Sequence, residues 1–322
     1  MKILASIHLY PPKHNCGAEY MMHQTLKYLK SQGHEVRVLL WNGRRYKIEN
    51  IYDYEGVDVF PPNDYIVERL FEWCDLIFTH LDYTQTSINY GARYNKKVLH
   101  FIHNWSRYAS IDFAQNQYVI YNSEIAKEKL QYNHESIVLH PPCDWRFYDT
   151  ETNTIENEFV TLINLDHNKG GEILKQIAKR LPNKKFLGVK GSYSADERGQ
   201  VLDQPSNVTI VENTTNIKDI YRQTRIIIMP SKFESWGRVA TEAMCSGIPV
   251  ISSGTEGLRE NCGKAGIYIE RDNIDKWVEA IVKLDDPKEY KKASKKAKDR
   301  SRELDPIKEL ETFNNWICTL KY

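Results

Sequence analysis

Apolar residues along the chain fall into short blocks with two spacings. "KILASIHLY" (2–10) is a β-rich run that stops at Pro11 and Pro12. "GAEYMMHQTLKYLKSQG" (17–33) places Met22, Leu26 and Leu29 on one helical face, with Gly33 suited to the cap beyond its end. "HEVRVLLW" (34–41) is again a strand, so strand, helix and strand follow one another in the first 41 residues. "CDLIFTH", "KKVLHFIH" and "QYVIYNS" continue as short apolar runs separated by helical or loop stretches. This alternation predicts an open, mostly parallel sheet flanked by helices.

The pattern breaks at "HPPCDWRFYDTETNTIENE" (140–158), which is rich in Pro, Asp, Thr and Asn and reads as a linker. It then restarts with strands in "FVTLINL", "KKFLGVKG", "NVTIVEN", "RIIIMPS" and "IPVISSG", and helices in "GEILKQIAKRL", "IKDIYRQT" and "RVATEAMCSG". Two successive arrays of similar size predict two Rossmann-like domains, residues 1 to about 145 and about 155 to 300. Such pairs usually take their ligand in the cleft between them. The tail from 274 is strongly helical, and "DDP" divides it.

Composition narrows the class. A chain of 322 residues with 41% hydrophobic and 27% charged residues is an ordinary globular protein, long enough for two cores. Forty-four Lys and Arg against 43 Asp and Glu leave no whole-molecule field to draw it to nucleic acid or an anionic membrane. The six cysteines are scattered, without a CxxC, and read as free thiols. With no leader-like start and no run near the roughly 18 apolar residues of a membrane span, the expected location is the cytoplasm, with peripheral contact at the inner membrane surface left open.

The chemistry concentrates in "RIIIMPSKFESWGRVATEAMCSGIPVI" (225–251). A buried strand ends at Pro230, a loop carries Glu234, Gly237 allows an unusual turn or a close approach, and a helix from 238 carries Glu242. The first amides of that helix are free donors suited to phosphate. Carboxylates beside them suit hydroxyls, and a ligand offering both is a nucleotide sugar. Acidic residues near a helix N-terminus also simply favour its dipole, and spacing alone does not separate the two readings.

The motif Pro-Ser-x-x-Glu-Ser-Trp-Gly, followed by Glu242-Ala-Met and Gly-x-Pro-Val-Ile, resembles the donor signature of family 4 retaining glycosyltransferases of GT-B fold. The resemblance implies an α/β protein of two Rossmann-like domains facing a central cleft, the first binding acceptor and the second the donor. It implies that Glu234 bonds the donor sugar, that Glu242 bonds the ribose, and that the Ser235, Trp236 and Gly237 backbone lies against sugar and diphosphate. "GTEGLRE" (254–260) resembles the family's next loop. "NCGAE" (15–19) resembles the turn facing the donor phosphate, keeping Gly17 but with Cys16 for the first glycine. "FIHN" (101–104) resembles the strand end whose histidine faces the reacting sugar, which makes His103 a catalytic candidate and His100 its decoy. "INLDHNKGG" (163–171) resembles the diphosphate loop: Lys169 matches the lysine, whereas Asn164 stands where an arginine is usual, so that Lys169 or another arginine carries more of the charge. "FLGVKGSY" (186–193) and "VTIVEN" (208–213) resemble the strands beneath the base, with Val211 as a lining residue.

No DxD and no His/Cys cluster at ligand spacing occurs in the sequence, so no metal or other cofactor is expected beyond the nucleotide-sugar co-substrate. Eight Lys and Arg between 288 and 302 read as a solvated helix face or, more sharply, as a contact for membrane or nucleic-acid phosphates. The last helix, within 303–322, is expected to cross back onto the first domain, as in the family.

The implied activity is transfer of a hexosyl-type group, from a UDP-sugar by preference, to an acceptor hydroxyl with retention, in glycan or glycolipid synthesis. Lys169, the helix at 238 and the amides near Gly17 would stabilise the departing phosphate. The phosphate would take the acceptor's proton, leaving Glu234 as a positioner. Glycosylation of a modified base in viral DNA, nucleotide-sugar epimerisation and a donor-binding inactive subunit are the alternatives.

Overall fold

The computed structural model describes residues 1–105, 117–191 and 199–320. The chain divides into two compact units, Met1–Pro142 together with the segment from Ile307, and Cys143–Pro306.

The first unit holds an eight-stranded sheet. Its strands are β1 (Lys2–Ile7), β2 (Glu35–Leu40), β3 (Tyr52–Tyr54), β4 (Val57–Phe60), β5 (Leu76–His80), β6 (Lys97–Ile102), β7 (Gln117–Tyr121) and β8 (Ser136–Val138). Their order is β3-β4-β2-β1-β5-β6-β7-β8, and only the edge pair β3 and β4 runs antiparallel. β1 and β5 bury almost every side chain, as strands covered on both faces must. The short β3, β4 and β8 escape a reading based on apolar blocks. "YDY" and "VDVF" alternate with charge, and Ser136–Val138 is three half-buried residues.

The second unit holds β9 (Phe159–Ile163), β10 (Phe186–Val189), β11 (Val208–Val211), β12 (Thr224–Met229), β13 (Val250–Ser252) and β14 (Ile267–Tyr268), in the order β11-β10-β9-β12-β13-β14. All neighbours are parallel. Every carboxyl end therefore opens on one edge, and the chain changes direction across the sheet between β9 and β12. In the first unit the same reversal falls between β1 and β5. Such switch points leave a crevice outside the strand ends. Of the stretch from 140 to 158, residues 145–148 form a short helix capped by Asp144, whose side chain accepts from the Arg146 amide.

Asp286 caps the helix Pro287–Glu303, with Pro287 in its first turn. The helix buries Tyr290, Ala297 and Ser301, while its six lysines (288, 291, 292, 295, 296 and 298) are exposed. Its two arginines are used internally. Arg300 donates to the Asn261 and Glu260 carbonyls, and Arg302 to Asp149. No helix among the described residues is long and apolar enough to cross a membrane.

The last helix, Ile307–Thr319, presents Leu310, Phe313 and Ile317 at helical spacing to the first unit's core, where Phe313 meets Phe78 and Phe101 at 6.0 Å each. Polar bonds fix its rotation: Asn314 Oδ1 sits 2.8 Å from His34 Nε2, Glu309 lies 2.8 Å from His140 Nδ1, and the Trp316 indole donates to Glu135. Truncating Phe313 would leave a large cavity in that core. Phe313→Ala is expected to cost about 3–5 kcal/mol, read as a lowered urea midpoint for the first unit's unfolding transition.

Candidate functional site

The loops after β9 and β12 meet at the second unit's switch point. Lys169, in the loop after β9, donates through Nζ to Glu234 Oε1 at 2.6 Å, and Ser231 Oγ donates to the same oxygen at 2.9 Å. Glu234 Oε2 accepts no hydrogen bond among the described residues. Both side chains keep solvent access, 35% for Lys169 and 13% for Glu234. The loops are also joined by the Lys232 amide, which donates to the Asn168 carbonyl at 2.8 Å. Arg271 donates to Pro230 O and His167 O, one carbonyl from each loop. A cation thus stands at this junction besides Lys169, but its donors are spent on these two carbonyls and on the Asp272 carboxylate.

Asn164 does not act as a cation's substitute. It holds a left-handed backbone at φ 76°, and its Oδ1 accepts from the Asp166 amide at 3.1 Å, closing the turn that leads to Lys169. Asn tolerates that conformation better than most side chains.

After Glu234 the chain is clamped. Gly237 sits at φ 83°, and a Cβ there would lie 2.5 Å from Leu258. Gly257 lets the helix Glu256–Cys262 approach so closely that a Cβ would meet Glu234 O and Ser235 O at 2.4 Å. Buried Asn261 donates to both Trp236 O and Gly237 O at 3.0 Å. Ser235 and Trp236 are buried in this clamp. The helix Arg238–Cys245 starts at Gly237 without a side-chain cap, and the Ala240 amide donates to Gly237 O at 2.9 Å.

Glu242 differs sharply from Glu234. Its Oε1 accepts from Arg238 Nε at 2.6 Å and its Oε2 from the Tyr221 hydroxyl at 2.7 Å. Arg238 donates further to the Tyr148 hydroxyl at 2.6 Å, and all four residues are buried. Burial works against the Arg238 charge, but Tyr148 and Glu242 hold its pKa above the ordinary value. Burial first, then Glu242, pushes the Tyr221 hydroxyl well up. Glu242, which the resemblance places at the ribose, already has a partner within the fold in Arg238. The i,i+4 spacing of Arg238 and Glu242 was the legible signal, whereas Tyr221 and Tyr148 come from distant segments.

Val211, half-buried at the end of β11, packs with Leu187, Val189 and Ile220. Three strand steps separate it from β12, roughly 14 Å, so it is not brought together with Glu234. Lys190, after β10, pairs with Glu212 at 2.8 Å. Residues 192 and 193 of the stretch expected beneath the base lie outside the described residues.

Gly17 and His103 belong to the first unit. Gly17 opens the helix Gly17–Ser31 behind Cys16, which makes no side-chain cap, and a Cβ on Gly17 would meet nothing within 4 Å. Packing therefore does not demand glycine there. His103 follows β6, with Nε2 3.0 Å from His80 Nδ1. Burial, then His8, pushes its pKa down to about 3, so the ring is neutral near pH 7. His100 lies within β6, fully buried, its pKa also down to about 3 through burial and His103. Beside His80 the fold places His8 and Glu19, residues that sequence spacing did not connect.

Residues 148–300 match the family model of glycosyl transferases group 1, nearly all of the second unit. Over 128 residues the chain is 28% identical to the D-inositol 3-phosphate glycosyltransferase of Mycobacteroides abscessus, covering 36% of this chain and 29% of that protein. The chain thus spans under a third of the length of the curated relatives it matches. Among solved structures it is similar to HepE of Anabaena in complex with UDP-glucose, at TM-score 0.78 and 16% identity over 99% of both chains. It is also similar to an α-glucosyltransferase in complex with UDP and a 13-mer DNA containing an HMU base, at TM-score 0.62 and 13% identity over 93% of this chain and 94% of that one. The fold is the α/β GT-B type, and the second unit carries the group 1 glycosyltransferase pattern.

Removing the Glu242 carboxylate would strand Arg238 in the core. Glu242→Ala is expected to cost about 3–5 kcal/mol, and a double variant that also replaces Arg238 with Met is expected to recover most of it. Chemical denaturation of the two variants and the parent checks this. Equal losses in the single and double variants would show that the stranded Arg238 charge is not what destabilises Glu242→Ala.

Proposed function

We propose that this protein is a glycosyltransferase that moves a sugar from a nucleoside diphosphate sugar, UDP-linked by preference, to an acceptor hydroxyl with retention of configuration. The observation that carries the reading is the Lys169–Glu234 pair astride the β9/β12 switch point, beside the uncapped helix at 238. A cation and a helix N-terminus suit a diphosphate, and the open Glu234 Oε2 suits a sugar hydroxyl. HepE was solved with UDP-glucose, which supports the choice of nucleotide.

In this reading Lys169 and the helix N-terminus stabilise the charge that builds on the leaving phosphate as the sugar passes through an oxocarbenium-like state. Glu234 positions the sugar through Oε2 while Oε1 holds Lys169. Glu242 offers the second lone pair of each oxygen to the ribose, and Val211 lines the base. The Gly17 amide and the neutral His103 serve the reacting end, with the phosphate taking the acceptor proton. No divalent ion is needed at the diphosphate. A glycan or lipid-linked acceptor in the cytoplasm is the first expectation. A modified DNA base is the second, favoured by the likeness to the α-glucosyltransferase solved with DNA and opposed by the balanced charge. The exposed lysines between 288 and 298 are the surface for membrane or nucleic-acid phosphates.

Incubation with a panel of nucleotide sugars and candidate acceptors, read by mass spectrometry, tests the assignment. Released nucleotide with a glycosylated acceptor is the expected result. An altered nucleotide sugar would make the protein an epimerase, and binding without turnover an inactive donor-binding subunit. Glu234→Gln and Lys169→Ala are each expected to lower kcat/KM by about 100-fold or more with little change in thermal stability. Unchanged donor binding and turnover in both would remove the donor site from this loop.

A further inference from the structure

The first unit holds a polar cluster that the sugar-transfer reading does not use. We propose that His8, Glu19 and His80 bind a divalent transition-metal ion, with zinc the best fit, in the crevice between β1 and β5. The three residues come from separate elements: His8 directly after β1, Glu19 in the first turn of the helix Gly17–Ser31, and His80 at the end of β5. β1 and β5 are adjacent, with Ser6 paired to Thr79, and this is where the strand order reverses. Crevices of that kind are where open α/β sheets take their ligands.

The geometry supports a shared ion better than a self-contained hydrogen-bond cluster. His8 is 5% exposed, and Glu19 and His80 are fully buried. One ligand atom from each lies within 4.8 Å of the other two. His8 Nε2 and Glu19 Oε1 stand 3.5 Å apart. That is longer than a charge-assisted hydrogen bond, about 2.7–2.9 Å, but close to the roughly 3.3 Å edge between ligands on tetrahedral zinc. Two imidazoles and a carboxylate form a borderline donor set suited to zinc, and three protein ligands leave a fourth position for water or a substrate oxygen.

His80 is held as a ligating histidine usually is. Its Nδ1 lies 3.0 Å from His103 Nε2, while its Nε2 has no hydrogen-bond partner among the described residues. A proton on Nδ1, donated to His103, leaves the Nε2 lone pair to face an ion. His103 then sets the tautomer and ring angle from outside the coordination sphere. Nothing in this inference depends on which sugar is transferred, or on whether one is.

The full-length protein, stripped with a chelator and dialysed, is titrated with zinc chloride by calorimetry and metal analysis. About one equivalent, bound at sub-micromolar Kd, is expected of a three-ligand buried site. Cobalt(II) on the unmodified protein should give the intense visible bands of four-coordinate nitrogen and oxygen ligation. Glu19→Gln and His80→Asn should abolish that spectrum, and His103→Ala should weaken zinc by roughly 10–100-fold. Absence of zinc binding, a pale six-coordinate cobalt spectrum, or an unchanged spectrum in folded Glu19→Gln would overturn the site. The cobalt spectrum of the unmodified protein decides the matter even if both variants fail to fold.

Discussion

The second unit's site depends on one buried ion pair. Arg238 and Glu242, one turn apart, lie in a core where an isolated charge would be strongly disfavoured, and each is acceptable only because the other is there. The tyrosine hydroxyls complete the arrangement: Tyr221 donates to the carboxylate and Tyr148 accepts from the guanidinium. This network ties the helix at 238 to the end of the short helix Ile217–Tyr221 before β12 and to the short helix at 145–148. It fixes where the helix at 238 begins. The loop in front is tied at its start by Arg271 and by Lys169, and Asn261, Gly257 and Gly237 clamp its end onto that helix.

Parallel sheets explain why the chemistry gathers where it does. With every β9–β14 pairing parallel, the loops after β9 and β12 must emerge on the same edge. The reversal of strand order between them prevents either from covering the other. The first unit repeats the arrangement with β1 and β5, and there too the crevice collects polar side chains in an otherwise apolar layer. Burial on both faces of β1 and β5 leaves the histidines at their ends little exposed, His8 at 5% and His80 at 0%. Burial pushes the His80 imidazole well below its usual pKa, and next to it the β6 histidines His100 and His103 are both down to about 3.

The long strands and helices were legible because their residues carry their own period. Lys2–Ile7 and Gly17–Ser31 each lie within a stretch read from the sequence, and Thr224–Met229 begins one residue before the strand read in "RIIIMPS". Three kinds of feature were not. Short edge strands such as Tyr52–Tyr54 alternate with charge and bury little. Asn164, read as a lost cation, is a turn residue whose left-handed backbone no composition reveals. The histidine and glutamate cluster draws on positions 8, 19 and 80, and only the sheet order brings these together. Motif reading compares residues near one another in the chain. It therefore sees the loop that carries Glu234, which is contiguous, and misses whatever two strand ends assemble.

The two glutamates of the donor motif show how burial divides roles between like residues. Both are carboxylates one loop or one turn from the same helix start, and spacing alone makes them equivalent. Glu242 is buried, with a donor on each oxygen, so its first duty is to keep Arg238 neutralised and the helix in place. Glu234 is partly exposed, both donors fall on Oε1, and Oε2 stays open. A ligand hydroxyl gains a full hydrogen bond at Glu234 without displacing anything, whereas at Glu242 it must share oxygens already in use. Loss of activity after changing Glu242 therefore mixes folding with binding, and the Glu234 carboxylate is the cleaner reporter of what the loop holds.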